Sequence, residues 1–342
     1  MLTLNTYKTE LNADSLEFCP HEPNQNVFVC ANYQLEKDET SQTRKGLLLL
    51  FSIEDDLNLL QTIGCSGVLD TKWCRNKIGN RSILGVVNAT KSIEIYVLNL
   101  NVNLVLQCKL TIPSEIPQLL LLSLDWSSSE TNFGSQEIVC SDSKGGVHRL
   151  IYQNNQLTYL NGYKPHDFEC WCVTFNHFNS NIFYSGGDDT FLFSHDSRIG
   201  DFTFKNKSHT AGVTSIQSNP HREHLLATGS YDSYLRIWDD RILKDCLFQL
   251  ELPGTLWRLK WDPFGDNLLL AGCMSGGAHI VQINDCSGEI IGGYNEHESL
   301  VYGVDWSWLS LESIKKIRNE AQYLIGTCSF YDNLMCLTTF NT

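Results

Sequence analysis

The chain is short of basic charge. Its 342 residues carry 25 lysines and arginines against 39 aspartates and glutamates, a formal net charge of −14. No basic excess is left to displace counterions from a phosphate backbone, so nucleic acid is not an expected partner. The balance suits a basic protein surface, or simply keeps the chain in solution. Long apolar runs are missing too: GLLLLF (46–51) and LLLL (119–122) have the size of strands, and no membrane partner is expected. The stretch MLTLNTYKTEL lacks the basic region and apolar core of a secretory signal, which predicts a cytoplasmic location. The 13 cysteines are odd in number, scattered and without a CxxC pair, so neither a zinc site nor a disulfide framework is expected. Those at Cys30, Cys140, Cys172, Cys273 and Cys336 sit in apolar strand-like runs and read as buried free thiols. A G-x-S-x-G elbow, a phosphate-binding loop and a G-x-G-x-x-G turn are all absent. Ser313 and Lys316 match SxxK, but inside a polar helical stretch. No metal or other cofactor is expected.

A repeat is present. YSGGDDTFLFSHDSR, ending at Arg198, and ATGSYDSYLRIWDDR, ending at Arg241, agree position by position at a shift of 43 residues. Gly186 meets Gly229, Asp189 meets Asp232, Asp196 meets Asp239, and upstream His166 meets His209. A period in the low forties with a Trp-Asp pair (Trp238, Asp239) is the signature of a WD-repeat propeller blade. Seven short apolar strands, most closing on an aromatic anchor, recur along the chain. They are DSLEF (14–18), LDTKW (69–73), LSLDW (122–126), WCVTF (171–175), TSIQS (214–218), WRLKW (257–261) and YGVDW (302–306). The expected fold is therefore all-β, a single seven-bladed WD-repeat β-propeller over 1–342. The strand 2–11 completes blade seven, because ring closure removes the open sheet edge. QLEKDETSQTRKG (34–46) reads as a polar mobile loop. SLESIKKIRNEAQ (310–322) reads as a helical insertion, with Glu312 and Lys316 at i,i+4.

His209, Thr228, Asp232 and Trp238 fall where such blades hold an internal hydrogen-bond tetrad. The set resembles a hydrolase triad only superficially, since buried polar groups must pair and these pair with one another. Blade four keeps His166, Ser185 and Asp189 but has His195 for the Trp, which predicts a looser tetrad and a more available His166.

Several stretches go beyond a generic propeller: SGGDD (185–189), HTAGVTSIQSNPHREHLLATGSYD (209–232), WRLKWDPF (257–264), AGCM (271–274) and SLVYGVDWSWL (299–309). On these the chain resembles the WD-repeat enzymes of diphthamide biosynthesis, the diphthine methylesterases, formerly called diphthine methyltransferases. The resemblance is densest over 166–309. It implies a carboxyl-methylesterase acting on translation elongation factor 2, whose methylated diphthine carries a trimethylammonium group beside a methyl ester. It assigns no catalytic residue. The alternative is a non-catalytic adaptor, because Trp238-Asp239-Asp240-Arg241 fits the WDxR pattern of cullin ubiquitin-ligase substrate receptors, with Arg241 toward the partner.

A quaternary cation favours aromatic faces. Four residues before the anchors stand Trp171, Trp257 and Tyr302 in blades four, six and seven, with Thr214 in blade five. They are candidates for a cation-binding mouth, with Glu169 adding negative charge; packing between blades is the competing reading. Ester hydrolysis also needs a base or nucleophile and an oxyanion partner. His166 and His297 are candidate bases on that face, with a structural loop histidine as the competing reading. Arg258 is a candidate oxyanion partner unless a carboxylate claims it, and Cys273 and Ser275 are candidate nucleophiles. His221 and His224 of PHREH belong to the opposite face. A monomer is expected.

Overall fold

The computed structural model describes residues 1–38, 41–128 and 135–342. They form seven antiparallel sheets in a ring, each running outward from an inner first strand. The inner strands are Ala13–Phe18, Val68–Trp73, Leu121–Trp126, Cys170–Phe175, Val213–Ser218, Arg258–Trp261 and Val301–Trp306. In blade seven the outermost strand is Leu2–Lys8, paired antiparallel with Leu334–Phe340 from Leu2↔Thr339 to Lys8↔Leu334.

Alternation along a strand sends one set of side chains to each neighbouring blade. The core accordingly lies between blades, one apolar cluster at each seam. Leu16, Phe18 and Phe28 of blade one meet Cys328 and Leu337 of blade seven, and Leu268 and Leu270 of blade six meet Trp306 and Ile325. The anchors tie the seams together. Trp73, Trp126, Trp261 and Trp306 each donate the indole N–H to a carbonyl of the preceding blade: Glu17 (3.3 Å), Lys72 (2.9 Å), Gln217 (3.2 Å) and Lys260 (2.9 Å). Trp306 is 1% exposed, so burial of its ring contributes on the order of 3 kcal/mol and its one polar atom is satisfied.

Two local expectations change. The segment at 34–46 is a hairpin rather than a loop: Gln34–Lys37 pairs with the start of Gln42–Ile53, and residues 39–40 lie outside the described residues. Its polar side chains face solvent while the backbone finds ladder partners, which composition alone does not reveal. The helix is confined to Leu311–Ile317, capped by the Ser310 hydroxyl on the Ser313 N–H, and it buries Ile314. The Glu312–Lys316 pair is 3.2 Å apart and exposed. No helix among the described residues is long and apolar enough to cross a membrane.

Candidate active site

Six of the seven inner strands share an irregularity. The pairing register slips by one residue between Ala13 and Ser15, Val68 and Asp70, Leu121 and Ser123, Cys170 and Cys172, Val213 and Ser215, and Val301 and Gly303. The residue left out of the ladder is Asp14, Leu69, Leu122, Trp171, Thr214 and Tyr302 in turn. In blade six Trp257 stands immediately before the paired segment. A bulge redirects its side chain out of the pleat. All seven line one hollow of about 260 Å³ at the mouth of the central channel.

The predicted aromatics do converge there. The Trp171 and Trp257 ring centroids are 5.5 Å apart at 63°, and Trp257 stacks on Tyr302 at 4.7 Å and 27°. Three further rings join them: Tyr231 lies 6.1 Å from Trp257, and Phe330 lies 5.0 Å from Tyr302 and 6.3 Å from Tyr33. Spacing from the anchors misses these three because each sits in the turn after a second strand. Tyr231 directly precedes the tetrad Asp232, and Asp188, its counterpart at the 43-residue shift, accepts from the Trp171 indole at 3.0 Å. The Trp257 indole N–H is buried with no acceptor among the described residues. Glu169 does not line the hollow; its carboxylate contributes, behind burial, Tyr302 and Asp188, to keeping the Tyr231 phenol protonated.

The floor is polar. Arg258 reaches across the ring from blade six to Asp70 on blade two, Nη1 to Oδ1 at 2.8 Å. Asp70 Oδ2 also accepts from the Ser123 hydroxyl and the Leu124 N–H, both at 3.2 Å. Burial opposes ionisation of Asp70, but Arg258 and Lys72 outweigh it and hold the carboxyl below its ordinary range. Asp14 is the remaining carboxylate. It is 5% exposed and accepts no hydrogen bond from the described residues. Burial pushes its pKa up to about 8; Arg258 draws it down and Asp70 pushes it further up. The anchor spacing that marks Trp171, Trp257 and Tyr302 also marks Asp14 in blade one, but only a search not limited to aromatics finds it.

The candidate bases lie elsewhere. His166 is 1% exposed and spent on Asp189 (2.9 Å) and Ser185 (2.8 Å). The tetrad of blade four is closed rather than loose, because His195 Nε2 takes the place of an indole at 2.7 Å from the Ser185 hydroxyl. Burial and the nearby His166 hold His195 neutral, with a pKa of about 3. His297 bonds Thr327 (2.7 Å) and Ser329 (2.6 Å), and burial depresses it to about 4 although Asp332 works against that. In blade five Trp238 donates to Thr228 at 2.9 Å and Thr228 meets His209 Nε2 at 3.1 Å. The His209–Asp232 link is not direct: the two are 3.9 Å apart, and Arg236 donates to both.

Neither candidate nucleophile lines the hollow. Cys273 is fully buried in the seam between blades five and six, where burial lifts its thiol to about 12, and Ser275 is exposed in a turn of blade six. The PHREH loop carries Pro220 into a second hollow at the opposite end, of about 100 Å³. There Glu17 is held between Lys72 and Lys260, and Asp125 accepts from the Thr174 hydroxyl and the Phe175 N–H. Arg241 folds back onto Asp239, as Arg198 does onto Asp196.

The ring of sheets and the blade-five tetrad define a WD-repeat propeller with an aromatic mouth. The family model for the WD domain, G-beta repeat, matches residues 200–239. A chain from the crystal structure of the mitotic checkpoint complex superposes with a TM-score of 0.74 over 100% of this chain and 92% of its own, at 13% identity, which shows the fold alone. Sequence relatives go further. The chain is 37% identical to diphthine methyltransferase of Homo sapiens over 92% of this chain and 76% of that one. It is 36% identical to a diphthine methyltransferase homolog of Dictyostelium discoideum over 97% and 98%, respectively. The Schizosaccharomyces pombe protein is 30% identical over 92% and 90%. The chain belongs to the diphthine methyltransferase family.

Proposed function

We propose that this protein acts in diphthamide biosynthesis as a carboxyl-methylesterase, hydrolysing the methyl ester of methylated diphthine on translation elongation factor 2. The relatives named for diphthine support the substrate class. The reaction type rests on one observation: six aromatic rings surround a hollow whose floor holds one uncompensated carboxylate and one arginine. Aromatic faces attract a trimethylammonium group, by about 2 kcal/mol or more per desolvated ring. Ester hydrolysis then needs a proton acceptor for water and a positive group near the carbonyl oxygen, and Asp14 and Arg258, both lining the hollow, have those chemistries. A hollow of about 260 Å³ takes the end of a side chain, so the rest of the factor docks on the surrounding rim.

The test is release of methanol from elongation factor 2 bearing the methylated side chain, by purified protein in ordinary water. Stoichiometric methanol, with loss of the ester from the factor, supports hydrolysis. Intact ester after prolonged incubation refutes it, and methyl gain by the factor from a methyl-donor cofactor would replace it with transfer.

A further inference from the structure

Asp14 occupies the ring position that is leucine, threonine or an aromatic in every other blade. Asp70 on blade two and Arg258 on blade six act on it, and it in turn acts on Tyr302 and the Cys328 thiol of blade seven. Glu17 on its own strand, Lys72, Lys260 and Asp305 continue the charge network along the channel. Three cations, Lys72, Lys260 and Arg258, make the ion pairs of this network. Glu17 pairs with Lys72 and Lys260, Asp305 with Lys260, and Asp70 with Arg258. Asp14 has no ion pair, although it is buried beside Asp70. Like charges taken out of water cannot both ionise without a counterion. Among the described residues these ion pairs leave Asp14 without a counterion, and it opens into an aromatic-walled hollow that suits an organic cation.

We propose that Asp14 is the general base of the reaction and that entry of the substrate's quaternary ammonium group is what charges it. This rests on the esterase reading for its catalytic half; the charging by a cation stands on the hollow alone. In the empty site Asp14 holds a proton, consistent with its elevated pKa. A trimethylammonium group held by Trp171, Trp257 and Tyr302 supplies the missing positive charge, and the proton leaves to solvent. The carboxylate then takes a proton from a water molecule while the water oxygen bonds to the ester carbonyl carbon. The carbonyl π pair moves to oxygen, facing Arg258. As the tetrahedral species collapses, the carbon–methoxy bond breaks and the methoxy oxygen takes the proton back from Asp14. Methanol and the free carboxylic acid result, and no other reactant is consumed. The arrangement is selective: an ester without a neighbouring cation meets a protonated, inert base.

The probe is tetramethylammonium chloride, titrated into the full chain from about pH 6 to about pH 9 while tryptophan fluorescence is followed. Coupling to one proton raises the affinity by up to about tenfold per pH unit below about pH 8 and levels above it. Asp14→Asn should bind with an affinity that does not vary over this range. A wild-type affinity independent of pH overturns the proposal with no variant required. The same preparation is assayed for methanol release from methylated elongation factor 2 and from betaine methyl ester. Asp14→Asn should lower kcat by about 100-fold or more, with KM changing less; a kcat within about threefold of wild type overturns the base role while the esterase reading survives. Proton-linked binding without methanol from the wild-type protein overturns the esterase reading, and the base role with it, while the cation-charged Asp14 stands.

Discussion

Replacing Trp257 by alanine separates a cation site from mere packing. Trp257 lies at the centre of the mouth, edge to face with Trp171 at 5.5 Å and stacked on Tyr302 at 4.7 Å. One desolvated ring is worth about 2 kcal/mol or more to a quaternary cation, which is about thirtyfold in affinity. Part of that returns, because removing the indole uncovers the face of Tyr302 that it had stacked on. The expected loss is therefore about tenfold to thirtyfold, in KM for methylated elongation factor 2 and in tetramethylammonium affinity alike. The half-buried ring also contributes to stability, so unfolding free energy should fall by about 2 kcal/mol, below the range for fully buried aromatics. Trp257→Phe keeps a π face and should restore most of the affinity. Calorimetric titration with tetramethylammonium and denaturant unfolding give both numbers on the same variants. If Trp257→Ala loses stability but binds within about threefold of wild type, the rings are core and the proposed cation site is wrong.

Three further outcomes follow from the floor and the tetrads. The Asp14 pKa is raised in the folded chain from its ordinary 3.8 to about 8, so folding takes up a proton between those values; wild type should lose stability as pH rises through that window and level above it. Urea unfolding at intervals across the window should show this slope in wild type and a shallower one in Asp14→Asn. Arg258→Ala leaves buried Asp70 with only the more distant Lys72, 3.7 Å away, as counterion and should cost about 3 kcal/mol by the same measurement. His297→Ala removes bonds to Thr327 and Ser329 but nothing that lines the mouth; it should cost about 1 to 3 kcal/mol in stability and leave kcat within about twofold.

The blades were legible because each repeats the same solution to one packing problem. A terminal aromatic on six of the seven inner strands is imposed by seam burial, so it survives while the spacing between strands drifts with the loops, from 55 residues at the first pair to 43 across blades four to six. The location of the mouth was legible for the same reason: Trp171, Trp257 and Tyr302 stand at one offset from their anchors. What was hidden depends on neighbours far away in sequence. Nothing local says that Arg258 belongs to Asp70, 188 residues away. His166 looked available because its blade lacks the usual indole, and only the folded blade shows that an imidazole closes the tetrad just as well. Tyr33, Tyr231 and Phe330 come from turns, where composition is governed by backbone geometry and a functional aromatic has no periodic background to stand out from.

The slipped residue in six of the inner strands has a consequence for how such a molecule can change. The slipped residue has no ladder partner of its own and its side chain faces the shared hollow, so every one but Thr214, whose hydroxyl donates to the Gly229 and Leu256 carbonyls, is a socket whose occupant can be exchanged with little disturbance to the wheel that carries it. New specificities in this architecture should therefore be reachable one blade at a time, beginning with Leu69 and Leu122, the two leucine sockets, since Thr214 is already tied by hydrogen bonds.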